Sequence, residues 1–222
     1  MLDGLHRLAT LIHPVHPAVL RGVLLQWLTD AHYEAGTLQQ RREVSSRGDW
    51  VNQNSFGTDR YQFLLRTADT LVRELPDLVV ARPHGSLVLN LNGAAIYQFR
   101  MENPPHGLVR AGDFREELLS DEPADTGQLE LLTGAFLHLG GRELVLLPWA
   151  GTDTGGLREA WIGSGALNAE KKIDWDWCLS FDHLVTGSPD GPPGTHLATG
   201  FDGPEPKVDL RPRTDEAGTE AG

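Results

Sequence analysis

The sequence predicts an α+β fold. N-terminal helices pack on a mainly antiparallel sheet of about six or seven strands, and a disordered C-terminal tail follows. Three observations predict it. Apolar residues recur at helical spacing early in the chain, as in Val19, Leu20, Val23, Leu24, Trp27, Leu28 and Ala31. From Leu78 onward the pattern shifts to short apolar runs joined by tight turns, Asn92-Gly93 and Gly140-Gly141. Strands and helices do not alternate, which argues against a parallel doubly wound sheet.

The elements follow in order. Leu5, Leu8, Leu11 and Ile12 mark a short amphipathic helix, broken by Pro14. Pro17 suits the first position of a second helix. That helix is expected to run to about Ala35, with Gly36 as its stop. Residues 37–58 are polar and read as a long loop, a feature that often carries function. Thr58 or Asp59 can cap a third helix, Arg60 to Leu75, which Pro76 ends. Residues 78–101 read as a three-stranded antiparallel meander with its second turn at Asn92-Gly93. A short helix is expected from Phe114 to Leu119. A second hairpin is expected next, from about Leu129 to Leu139 and from Arg142 to Trp149, through Gly140-Gly141. Leu157–Gly163 and Ile173–Phe181 are the last strands. In the latter, Ile173, Trp175, Trp177 and Leu179 alternate with Asp174, Asp176 and Cys178. The boundaries expected are one α+β domain over residues 1–185 and a disordered acidic tail over 186–222, where large apolar residues become rare.

Composition narrows the functional classes. The net charge of −12 is uneven: residues 1–110 carry 11 basic and 10 acidic side chains, and the second half holds the excess acid. That half would repel phosphate backbones, so general nucleic-acid binding is not expected. A single cysteine, Cys178, rules out an internal disulfide and any zinc site built from several thiolates. It suits a reducing, cytoplasmic location. No uninterrupted apolar run is long enough to span a membrane, and the N-terminus lacks the pattern of a signal peptide. Sixteen arginines against three lysines suggest a bacterial chain from a GC-rich genome.

No short motif assigns a reaction. Phosphate-binding glycine loops, His-Glu-x-x-His, Gly-x-Ser-x-Gly and Cys-x-x-Cys are all absent. The leading expectation is therefore a non-enzymatic interaction or regulatory module. Its contact surface would be Arg41, Arg42, Arg47, Trp50 and Arg60, because arginine beside aromatic side chains is the composition of recognition surfaces. A protein is the expected partner, and single-stranded nucleic acid is the alternative.

Two further readings stand beside it. No cofactor is expected by default, but Asp174, Asp176, Asp182 and His183 near the last strand could hold a divalent metal for hydrolysis, including that of a phosphodiester. The third reading is a small-ligand binder with its pocket between helices and sheet, bordered by the glycine-rich stretch 151–165.

Overall fold

The computed structural model describes residues 2–45, 51–110, 113–119 and 139–182. Helix α1 (Leu2–Ile12) is followed by the long α2 (Pro17–Val44) and by α3 (Gln53–Thr67). A 3₁₀ turn and the short α4 (Leu71–Glu74) lead into the sheet. Its strands are β1 (Leu78–Ala81), β2 (Val88–Leu91), β3 (Ala94–Arg100), β4 (Glu143–Thr152), β5 (Gly156–Leu167) and β6 (Ile173–Ser180). Helix α5 (Asp113–Leu119) lies between β3 and β4 in the chain. The expected α+β class is the one observed: N-terminal helices on a six-stranded sheet with spatial order β1 to β6.

Helix α2 starts where Pro17 was expected to start it, behind a His16 cap whose side chain accepts from the Ala18 amide. It does not stop at Gly36. The buried stripe continues through Ala35 to Gln39, and the helix runs to Val44. Gly36 has a different role. A Cβ there would lie 3.2 Å from the Asp153 carbonyl, so the glycine lets the β4–β5 turn approach the helix. Helix α3 likewise begins earlier than expected. Asn52 and Ser55 form a capping box, so the polar stretch before Arg60 is already helical from Gln53.

The meander forms as expected. β1, β2 and β3 pair antiparallel, and Asn92 adopts the left-handed conformation (φ 51°) that its turn requires. This turn also receives the end of α1: Gly93 N–H donates to the Leu11 carbonyl and Asn92 Nδ2 to that of Ile12.

The expected second hairpin is altered. Gly140 and Gly141 do make a left-handed turn, closed by Arg142 N–H on the Leu139 carbonyl. Its expected first strand, over about 129–138, lies outside the described residues, as does the expected tail. The second strand, β4, runs parallel to β3, from Ala94↔Glu143 to Arg100↔Trp149. The remaining four strand pairings are antiparallel.

Both faces of the sheet are buried. Helices α1 to α4 cover one face, where Leu8, Leu24 and Leu64 meet Ile96, Leu147 and Ile162. On the other face Leu118 and Leu119 of α5 pack with Tyr97, Phe99 and Leu146. The strict alternation expected for β6 fails at a β-bulge. The register jumps from Ser164↔Trp177 to Gly165↔Trp175, leaving Asp176 as the extra residue. Trp177 and Leu179 therefore face the helices, while Ile173 and Trp175 join the opposite cluster. Gly163 and Gly165 serve this bulge: a Cβ on either would lie 2.3 Å from a β6 carbonyl oxygen. They are packed glycines inside β5.

Candidate functional site

Strand β2 pairs with β3 only as far as Val88↔Tyr97, whereas β4 follows β3 to Arg100↔Trp149. This step in the sheet leaves a gap between Gln98–Arg100, the Ser86–Leu87 segment and helix α3. A pocket of about 290 Å³ fills it. Three arginines from three elements line the pocket: Arg60 from α3, Arg100 from the end of β3 and Arg115 from α5. Among the described residues no acidic side chain lines it.

Arg60 is the central group. It is 3 % exposed, and no carboxylate pairs with it among the described residues. Its guanidinium carbon lies 4.9 Å from the Phe56 ring centre and 4.5 Å from that of Trp149. Burial, and secondarily the charge of Arg100, pull its pKa down to about 10, so it remains a cation at neutral pH.

The side chains behind Arg60 fix its position. Arg60 Nη1 lies 3.2 Å from His32 Nε2, and His32 Nδ1 lies 2.6 Å from the Leu28 carbonyl. A carbonyl can only accept and a guanidinium can only donate. His32 must therefore be the neutral tautomer with its proton on Nδ1. Burial above all lowers its pKa to about 4; the Leu28 carbonyl opposes the shift, and the charges of Arg60 and Arg100 add to it. Trp149 is held in turn: its indole N–H donates to Gln98 Oε1 at 2.9 Å, and its ring meets His32 edge-on at 5.2 Å. Gly151 makes room for the arrangement, because a Cβ there would sit 2.4 Å from His32 Nε2.

Helix α3 is clamped against α2 one residue before Arg60. Asp59 accepts from Arg42 through both carboxylate oxygens and from Gln39 Nε2 at 2.8 Å. On the pocket's other side Arg115 donates through Nε to the Tyr97 hydroxyl at 3.1 Å and through Nη1 to the Arg110 carbonyl. It also lies 5.3 Å from the centre of the Phe99 ring. Tyr61 donates its hydroxyl to the Gly85 carbonyl, which ties α3 to the turn before β2.

The residues singled out from sequence are placed apart. Arg41 is exposed on the last turn of α2, Arg42 is engaged by Asp59, and Arg60 is buried in the pocket. Arg47 and Trp50 lie outside the described residues, as does His183. Asp174 accepts from Asn168, Asp176 sits at the bulge, and Asp182 is exposed with a carboxylate oxygen 3.9 Å from Arg21. Among the described residues no group of three or more His, Cys, Asp and Glu side chains is arranged to hold a metal. No single described helix is long and apolar enough to cross a membrane.

Arg100, Arg115, His32, Gln98 and Trp149 were not singled out from sequence. One local signal was available: His32 continues the apolar stripe of α2 four residues after Leu28, where a solvated histidine does not belong. A larger groove of about 430 Å³ lies between α2 and α4, but Asp30, Arg73 and Glu74 give it mixed charge and no focus. No protein-family model, no curated protein and no solved structure matches the chain.

Proposed function

We propose that the chain is a non-enzymatic binding protein whose site is the arginine pocket and whose ligand is a small organic anion. The observation that carries this reading is Arg60: a buried cation at the wall of a pocket lined by two more arginines, with no carboxylate partner and no acidic lining among the described residues. An unpaired buried charge costs several kcal/mol, and an arriving anion offsets that cost. The His32 and Trp149 contacts hold the guanidinium in place beforehand, which lowers the entropy lost on binding.

The lining supports binding rather than turnover. Among the described residues it contains no carboxylate, histidine or cysteine that could act as a base beside Ser86 or the tyrosines. A macromolecular partner gripping Arg41, Arg42 and Arg60 together is less favoured, because Arg42 is held by Asp59 and Arg60 meets only what enters the pocket.

The test is calorimetric titration with a panel of small carboxylates, sulfonates and phosphates at low ionic strength. At least one is expected to bind with a sub-millimolar Kd. Arg60→Gln is expected to weaken it by about tenfold or more, the worth of one charge-assisted hydrogen bond. Absence of binding across the panel, or equal affinity in the variant, would refute the reading.

A further inference from the structure

We infer that the ligand is a phosphate monoester, bound as the dianion, with a small apolar body of about one ring. This inference rests on the anion-pocket reading and narrows it. The first argument is charge. Three arginines line a space that has no acidic lining among the described residues, and Arg100 is close enough to Arg60 to disfavour its charge. A monoanion would leave most of that repulsion in place, whereas a dianion offsets more of it.

The second argument is direction. The arginines come from three separate elements, α3, β3 and α5, so the pocket's cations are spread over several walls rather than one helix or strand. A carboxylate presents two oxygens in one plane, which one arginine can satisfy by itself. A phosphoryl group presents three oxygens pointing apart, so several arginines can share it.

Counting partners among the described residues, donors remain for this task. Arg60 uses Nη1 on His32, and Arg115 uses Nε and Nη1 on Tyr97 and Arg110. Arg60 Nε and Nη2 and Arg115 Nη2 carry no further hydrogen bond among the described residues. Arg100 is exposed and forms no ion pair there.

The third argument is the remaining wall. Tyr61, Leu64, Leu87 and Phe99 supply apolar surface beside the arginines, which inorganic phosphate would leave uncovered. At about 290 Å³ the pocket lies at the lower end of ligand-site volumes and has no room for a dinucleotide.

The test uses four probes on the full chain: phenyl phosphate, benzenesulfonate, benzoate and inorganic phosphate, each titrated by calorimetry at pH 7.5 and 5.5. A phosphate monoester loses its second charge near pH 6, whereas benzenesulfonate keeps one fixed charge. Any titration of protein groups facing the pocket, including His32 behind Arg60 and Tyr61 and Tyr97 from α3 and β3, therefore registers in the sulfonate control. At pH 7.5 phenyl phosphate is expected to bind at least about tenfold tighter than benzenesulfonate or benzoate, one charge-assisted hydrogen bond more. Its advantage over the sulfonate should shrink severalfold at pH 5.5. Inorganic phosphate is expected to bind more weakly than the ester.

Equal affinities for all three ring-bearing probes would overturn the dianion while leaving the anion pocket standing. Inorganic phosphate matching phenyl phosphate would overturn the ester. No binding by any probe would remove both readings. Arg60→Gln and, independently, Arg115→Gln are each expected to abolish the preference for phenyl phosphate over the sulfonate. Its persistence in both folded variants would place the site elsewhere and overturn the inference.

Discussion

Replacing Arg60 by methionine distinguishes a binding residue from a structural one, because the two roles predict different stabilities. Burial and the Arg100 charge take the Arg60 pKa from 12.5 to about 10. At about 1.4 kcal/mol per pH unit, the charged form is disfavoured against the neutral one by about 3 kcal/mol more than in water, which is taken as the cost of keeping the cation buried. Contacts with the Phe56 and Trp149 rings return about 2 kcal/mol when desolvated. Methionine removes both terms and fills similar space, but it leaves His32 Nε2 without a donor, a loss of about 1 kcal/mol. These contributions nearly cancel, so Arg60→Met is expected to change stability by no more than about 1 kcal/mol. For a chain of this size that is a shift in Tm of about 2–4 °C. Breaking a properly paired buried ion would instead cost about 3–5 kcal/mol. Urea unfolding of both proteins at pH 7 in anion-poor buffer measures the difference. A loss of about 3 kcal/mol or more would make Arg60 a structural cation and refute the reasoning.

Other outcomes follow from the same contacts. His32 has a pKa of about 4 in the fold against 6.5 when solvated, so between these values the unfolded chain binds more protons. Stability is therefore expected to fall as pH drops through that window, by up to about 3 kcal/mol, and His32→Gln, which keeps an acceptor for Arg60, should flatten the fall. Urea midpoints at pH 7 and 4.5 check this, and identical pH dependence in the variant would contradict it. Gly151→Ala places a methyl 2.4 Å from His32 Nε2 and 2.6 Å from the Gly156 carbonyl. It is expected to destabilise by about 1–3 kcal/mol, whereas Gly22→Ala, on open helix surface, should stabilise by up to about 1 kcal/mol; thermal unfolding compares the two. Burial pushes the Cys178 thiol up to about 12, so it should react with a disulfide reagent at pH 8 only after denaturation.

The sequence is most readable where structure is decided locally. The Asn92-Gly93 and Gly140-Gly141 turns follow from residues that tolerate positive φ, and the stripe of α2 follows from helical spacing. Reading fails where a distant segment decides. Gly36 looks like a helix stop, but it is a clearance for the β4–β5 turn, more than a hundred residues away in the chain. Asp174 and Asp176 look like neighbours on one strand face, but glycines on β5 admit a bulge between Trp175 and Trp177. The pocket shows this most clearly. In sequence Arg60 stands near Trp50 and Tyr61, but the aromatic faces it meets are Phe56 and the remote Trp149. Arg100 and Arg115 join it only because β2 ends short of Gln98 and because α5 packs on the far face of the sheet. No periodicity encodes that convergence.

The central claim is that Arg60 is kept for an anion rather than for the fold. The most direct measurement is the rise in Tm on adding phenyl phosphate at pH 7.5, for the wild-type chain and for Arg60→Met side by side. The expected result is a clear rise in the wild type, by mass action on the folded state, and no rise in a variant whose starting Tm is nearly unchanged. An equal rise in both proteins, or a variant that unfolds without ligand, would contradict it.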